Sequence, residues 1–473
     1  MNLEEKINLQ KSKLQNGNPT IELSHPCRIG NGIISLSQSD SIESAKKFEQ
    51  LIKDLEVYFF IPASGSGSRM FGSLFDFIKD GAPNDDTIEF IEHLLNSIED
   101  FAFYNKLSLE VKNKLKSGEI EVNQFIELLI TEKGFNFGHL PKGLIPFHKY
   151  GHFILNPFQE HILQGTQISG DKANFHFTIA EPFEDKIKHS IKILREITGF
   201  DFSFEFSLQD PATNSIAFTE GMEPAVNDSG NVIMRPAGHG ALLKNLNDIQ
   251  TDLIFIRNID NIQHNNFAEV SIQTRKALGG VLVEFQQRAF KILQSIDNNT
   301  YQPEEFIELN KKFDLQVDQV LFDHPEEIYK ILNRPIRICG MVKNEGQPGG
   351  GPFWIKDTDG KLSKQIVEKS QISTNSKQLG ILIKSTHFNP VEIICAPKNY
   401  KGEKFDLFDF RDENKYFIVK KNAQGQDVKF IEEPGLWNGG MAKWTTLFYQ
   451  IDSNCFSPVK TVLDLLKPLH REK

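Results

Sequence analysis

One junction constrains the fold more than any other: EVYFFIPASGSGSRM, residues 56–70. Its first seven residues carry the aromatic and β-branched content of a buried strand. The strand feeds without a spacer into ASGSGSR (63–69), a run of small residues ending in a cation. Small residues and glycines let backbone N–H groups approach phosphate oxygens closely. The forked guanidinium of Arg69 suits the same ligand. The spacing is not that of a Walker loop, because no Gly-Lys-Ser/Thr closes it. Nor is it the dinucleotide fingerprint, since the next glycine after Gly65 and Gly67 is Gly72. As a residue pattern the segment reads equally as an ordinary tight βα turn with a surface arginine.

Further along, strand and helix alternate. NFHFTIA (174–180) and FSFEFSL (202–208) read as strands, DLIFIRNID (252–260) as a buried one, and apolar strand-like content returns at 336–342, 391–396, 415–420 and 446–451. Between them, Asn156 and Pro157 mark a helix start. Phe183, Ile187, Ile191, Leu194 and Ile197 share one helical face that ends at Gly199. Residues 238–248 open a short helix, 267–333 read as largely helical, and SPVKTVLDLLKPL (457–469) as a closing helix. This alternation predicts an α/β core with a largely parallel sheet flanked by helices. The divisions expected are a helical lead-in over 1–55, a core over 56–335 with a helical insertion at 74–136, and a C-terminal part of the core over 336–473.

Charge narrows the partners. With 53 basic and 63 acidic residues the formal net charge is −10, so a general affinity for nucleic acid or anionic membranes is not expected. A local basic pocket for one small anion remains compatible with that total. The four cysteines, Cys27, Cys339, Cys395 and Cys455, form no CxxC pair, which points away from zinc knuckles and disulfide frameworks. The N-terminal segment lacks signal-peptide features and no apolar run reaches ~18 residues. A cytoplasmic location is therefore expected. The assembly state is not legible.

Four segments carry possible chemistry. After the 63–69 loop comes LPKGLIPFHKYG…NPFQEHIL (140–163), with Lys142 ahead of a Pro-started helix. Third is MRPAGHGALLKNLNDIQTDLIFIRNIDN (234–261), whose Gly238 and Gly240 flank His239 and whose Asp260-Asn261 pair ends a strand. Fourth are GMVKNEGQPGGGPFWIKDTDGKLSKQIVEKSQI (340–372), LWNGGMAKW (436–444) and FSPVKTVLDLL (456–466). Singly, Lys142 reads as a solvated charge, Asp260 as a turn residue and GQPGGGPF as a flexible lid. In order, they resemble sugar-phosphate nucleotidyltransferases, and within them the UDP-sugar pyrophosphorylases. The whole chain is identified as a member of the bacterial family of domain of unknown function 4301.

The resemblance implies a nucleotide-diphospho-sugar transferase fold, a GT-A-like, Rossmann-type core. It implies a Mg²⁺-dependent transfer of a nucleotidyl group from an NTP, UTP favoured, to a sugar 1-phosphate, with release of pyrophosphate. Arg69 and the backbone of Ala63, Ser64, Gly65, Ser66 and Gly67 would then hold the β- and γ-phosphates. Lys142 and Lys460 would lie near the α- and sugar phosphates. Asp260 and Asn438 would hold Mg²⁺, Gln209 and the Gly238–His239–Gly240 loop would meet the nucleotide, and Glu368 the sugar. On this reading Asp260→Asn abolishes metal-dependent turnover with the fold intact. A glycosyltransferase on the same kind of core and a non-catalytic nucleotide-binding protein are the alternatives. Retention of Arg69 counts against the glycosyltransferase.

Overall fold

The computed structural model describes residues 2–80, 84–346, 349–356, 360–423 and 426–472. Residues 81–83 of the helical insertion and 347–348 of the glycine-rich GQPGGGPF segment lie outside them. The chain forms two compact units, one built from Met1–Val57, Gln209–Ile256 and Lys276–Ile451, the other from Tyr58–Leu208, Arg257–Arg275 and Asp452–Lys473.

Nine strands matter for the sheets: β1 (Arg28–Ile29), β2 (Gly32–Ile34), β3 (Val57–Pro62), β4 (Ala173–Ile179), β5 (Phe202–Leu208), β6 (Leu253–Ile256), β7 (Ile336–Lys343), β8 (Ile393–Ala396) and β9 (Thr445–Gln450). In the first unit they run β1-β2-β9-β7-β8-β6, with parallel pairing from β1 to β7 and antiparallel pairing from β7 to β6. In the second unit β3, β4 and β5 are all parallel. The fold is thus mixed α/β and mostly parallel. Burial on both faces explains why VYFFIP and IRICGMV read as continuous apolar runs rather than alternating ones. The first unit also holds a three-stranded antiparallel sheet, Leu23–Pro26 with Gly351–Lys356 and Leu362–Val367, and a hairpin of Phe417–Ala423 with Gln426–Glu432.

The second unit contains the loop after β3, so its construction positions the chemistry. Phe59 of β3 stacks on Phe175 of β4 at 5.0 Å between ring centroids. Helix Pro157–Ser169 packs on β4. Its start follows the local code: Asn156 and Gln159 form a reciprocal capping box with Pro157 in the first turn, satisfying N–H groups that a helix start leaves open. Helix Glu184–Thr198 ends at Gly199 in the left-handed conformation. The insertion forms helices Gly72–Asp80, Asp85–Asn96, Leu109–Ser117 and Val122–Ile130. Their apolar faces, with Phe101, Phe103 and Phe137, make one cluster that also takes in Met70, Phe71, Ile145, Ile262, Val459 and Val462.

Three segments differ from the sequence expectation. Residues 457–469 do not form a helix: Ser457–Lys460 is an irregular, non-helical strap, followed by short 3₁₀ turns at Val462–Leu466 and Pro468–His470. Pro458 and Pro468 remove amide donors, and the strap bonds instead to residues 260–261. The lead-in contains strands as well as helices Leu3–Asn16 and Gln38–Leu51, because Ile33 and Ile34 pair with Phe448 and Tyr449. The strand expected over 252–260 stops at Ile256.

Phe71 is fully buried in the insertion cluster. Phe71→Ala is expected to cost ~3–5 kcal/mol through lost burial and a residual cavity. Phe153→Ala, at a position 62% exposed, should stay within ~0.5 kcal/mol; denaturant unfolding of both variants makes the comparison.

Candidate functional site

The loop after β3 is tied through its backbone to residues 140–142. Lys142 N–H donates to the Gly65 carbonyl at 3.0 Å and Gly67 N–H to the Leu140 carbonyl at 2.8 Å. Residues 65–67 and 140–142 therefore run alongside one another, and Ser66 bridges Pro141. Gly67 is required by close approach: a Cβ there would meet Ile145 Cδ1 at 2.7 Å and the Phe137 carbonyl at 2.9 Å. Ser64, Gly65 and Ser66 are exposed, and their N–H groups donate to no described residue. Three consecutive free amides beside exposed Arg69 are a donor set suited to an anion.

Lys142 follows directly, in the turn Lys142–Leu144. Its ammonium donates to Asp260 Oδ2 at 3.0 Å and to the Val459 carbonyl at 2.8 Å. Lys460 donates to the same Asp260 oxygen at 2.9 Å. Side-chain exposure separates the three: 12% for Lys142, 12% for Asp260 and 60% for Lys460. Burial drives the Lys142 pKa down against the pull of Asp260, with Lys460 and Arg69 adding repulsion. Burial also pushes the Asp260 carboxyl up, but Lys142 and Lys460 outweigh it and hold it below its ordinary range. Two cations thus share the Asp260 carboxylate, with Arg69 near enough to repel Lys142, and a second carboxylate, Asp464, accepts the Lys460 N–H at 2.7 Å.

The strap holding Lys460 is anchored to the strand end. Val459 N–H donates to the Asp260 carbonyl at 3.0 Å and Ser457 N–H to Asn261 Oδ1 at 2.9 Å. Asp260 Oδ1 lies outside both ion pairs and accepts no hydrogen bond from a described residue. No cluster of three or more His, Cys, Asp or Glu able to hold a metal occurs among the described residues. A Mg²⁺ ion keeps several waters and takes one or two carboxylates together with substrate phosphates. One carboxylate oxygen beside a phosphate-suited loop fits that requirement.

The other expected site residues belong to the first unit. Gly238 has φ +73°, and a Cβ there would meet Glu432 Oε2 at 2.5 Å. His239 Nδ1 accepts the Leu436 N–H at 3.0 Å, and the ring stacks on Trp437 at 4.1 Å. Burial lowers its pKa to about 4, so the ring is neutral near pH 7 with its proton on Nε2. Gly240 backs on the carbonyls of Glu433 and Pro434. Asn438 donates to the Ile366 carbonyl at 2.8 Å, and its Oδ1 is buried without a described partner. Glu368 is half-buried and caps the turn Lys369–Gln371; burial raises its pKa and the Asn438 side chain opposes the rise. The Gln209 amide is used within its own turn, on Thr213 and Asn214. The Val459 carbonyl and the Trp437 ring are participants that residue-by-residue reading missed. A main-chain acceptor leaves no mark in a sequence, whereas Trp437 stood visible inside LWNGG.

The family model described as a domain of unknown function (DUF4301) matches residues 2–471. No curated protein matches the chain. Among solved structures, the uridine diphosphate N-acetylglucosamine pyrophosphorylase of Trypanosoma brucei in complex with inhibitor is similar, with a TM-score of 0.50 and 12% identity over 98% of this chain and 74% of that one. A mutant of UDP-glucose pyrophosphorylase from Leishmania major gives a TM-score of 0.43 and 11% identity over the same shares. The first likeness is one of fold, the nucleotidyltransferase fold. No helix among the described residues is long and apolar enough to cross a membrane.

The double ion pair changes what Asp260→Asn does. Removing the carboxylate strands the mostly buried Lys142 ammonium, so the substitution is not neutral for folding. It is expected to cost about 3 kcal/mol at pH 7. Because the folded-state pKa of Asp260 is depressed, this stabilisation is present above the ordinary carboxyl value of 3.8 and is lost as pH falls through the lower folded value. Denaturant unfolding of both proteins at pH 7 and below pH 3.8 should show the gap closing with acid.

Proposed function

The chain belongs to the family described as a domain of unknown function (DUF4301), and from that premise we propose that it is a Mg²⁺-dependent sugar-phosphate nucleotidyltransferase. It would take a uridylyl group from UTP, release pyrophosphate and form a UDP-sugar. The observation that carries the reading is the pair of lysines sharing one oxygen of Asp260 beside the open 63–69 loop. The fold likeness to the T. brucei pyrophosphorylase supports the same class.

In this reaction an oxygen of the sugar 1-phosphate attacks the α-phosphorus of UTP, the bond to the β-phosphate bridging oxygen breaks, and pyrophosphate leaves with the electron pair. No proton transfer is needed at phosphorus. Catalysis rests on alignment and on neutralising charge. The amides of Ser64, Gly65 and Ser66 with Arg69 hold the leaving β- and γ-phosphates. Lys142 and Lys460 exchange the Asp260 carboxylate for phosphate oxygens, Lys142 from its buried position and Lys460 from its exposed one. Asp260, released from both lysines, is the residue that would hold Mg²⁺, which supplies charge neutralisation across the phosphates when bound. The resemblance assigns the Gly238–His239–Gly240 loop to the nucleotide, Glu368 to the sugar and Asn438 to the metal; these residues belong to the first unit and enter none of the steps above.

Arg69 is exposed and makes no described ion pair, so its loss tests binding with little effect on folding. Arg69→Ala is expected to weaken Mg²⁺–UTP binding roughly 10- to 100-fold, the size of a charged hydrogen bond, with the melting temperature nearly unchanged. Calorimetric titration reads the first and thermal unfolding the second. Pyrophosphate release from UTP over a panel of sugar 1-phosphates tests turnover. Tight UTP binding with no release on any sugar phosphate would replace the enzyme with a nucleotide-binding protein.

A further inference from the structure

Behind the two lysines runs a buried chain of polar groups that the reaction above does not use. Ser457 Oγ lies 2.7 Å from His470 Nε2. His470 Nδ1 lies 2.9 Å from His148 Nε2. His148 Nδ1 lies 2.7 Å from Glu160 Oε1, which also accepts the Tyr150 hydroxyl at 2.7 Å. All four members of the line from Ser457 to Glu160 are buried, His148 and Glu160 completely. They come from four separate pieces of one unit: the strap, the turn Pro468–His470, the strand His148–Tyr150 and the helix Pro157–Ser169.

Two members of this chain lie close in sequence to the lysines. Ser457 is three residues before Lys460 and His148 is six after Lys142. We propose that the line Ser457–His470–His148–Glu160 is a positioning device that fixes the strap, and through it Lys460 and the Val459 carbonyl, against Asp260 and Lys142. The proposal deepens the nucleotidyltransferase reading and rests on it for the role of Lys460.

Proton count shows how the line is satisfied. With Glu160 ionised, Ser457 O–H donates to His470, His470 Nδ1–H to His148, and His148 Nδ1–H to Glu160. With Glu160 protonated, every bond reverses and Ser457 Oγ becomes an acceptor. The groups facing Glu160 are His148, Tyr150 and His264, and those facing His470 are His148, Ser457, Asp464 and Lys467. Burial raises Glu160 to about 8 and lowers His470 to about 3, and it holds His148 well below its usual value. Both rings are therefore neutral at pH 7, and the line carries at most one exchangeable charge. Glu160 Oε2 is buried without a described partner, which favours the protonated carboxyl. In either polarity Ser457 stays bonded, so the strap is held throughout.

The test uses the full chain and hydrogen exchange, which needs no substrate. Ser457→Ala removes one hydroxyl and should speed exchange at the amides of Val459 and Lys460 about tenfold, with the amides of Ala173–Ile179 unchanged. Glu160→Leu, at the far end, should loosen the same two amides, and Glu160→Gln, which keeps an acceptor, should restore them. Affinity for inorganic pyrophosphate should fall with the loosened strap and recover with Glu160→Gln. Unchanged exchange in Ser457→Ala would overturn the proposal. So would equal acceleration over Ala173–Ile179, or a Glu160→Gln protein that behaves like Glu160→Leu. A wild-type chain that does not bind pyrophosphate would remove the enzymatic reading, and the exchange results would still decide the positioning.

Discussion

One carboxylate oxygen ties together three separate segments of the second unit. Asp260 Oδ2 takes ammonium groups from Lys142 and Lys460, residues separated by more than three hundred positions. A charge this deeply buried is tolerated only when paired and hydrogen-bonded. The pairing is what draws the 140–142 segment and the C-terminal strap onto the end of the 257–260 segment. It also holds two lysines ready, one of them desolvated. In the proposed reaction the aspartate acts as an internal substitute for phosphate, occupying the cations until a ligand takes them. Burial that is costly for an isolated lysine becomes useful here, because electrostatic attraction is stronger in a less polar setting.

The helical insertion is tied to the same segments through its core. Its phenylalanine-rich cluster includes Met70 and Phe71 after Arg69, Ile145 after Lys142, Ile262 after Asp260, and Val459 before Lys460. Each charged residue is thus next to, or within three positions of, a side chain locked in one core. Close-packed interiors transmit small displacements, so a change in the insertion's packing would reach all four charged residues.

Local signals in the sequence were strong where short-range physics decides structure. Asn156-Pro157 marked a helix start, Gly199 a helix end, and the apolar runs at 56–62 and 336–342 became the strands Val57–Pro62 and Ile336–Lys343. The segment 457–469 misled because its spacing of Val459, Val462, Leu463 and Leu466 suits a helix, while Pro458, Pro468 and the bonds to Asp260 and Asn261 impose an irregular strap. Assigning Lys142, Asp260 and Lys460 to one reaction followed from motif order. That all three would meet at one oxygen did not follow, since pairing across such separations is a tertiary fact. The line from Ser457 to Glu160 was invisible for the same reason: His148 and Glu160 stand in polar-looking segments, and only the fold shows that both are buried.

Whether phosphate replaces the aspartate at the lysines decides the proposed mechanism. A crystal structure with Mg²⁺ and UTP bound measures this directly. Phosphate oxygens are expected within hydrogen-bond distance of Lys142 Nζ and Lys460 Nζ, with the Asp260 carboxylate turned to the metal and the amides of 64–66 on the terminal phosphates. A triphosphate bound elsewhere, with the 3.0 and 2.9 Å ion pairs to Asp260 intact, would contradict it.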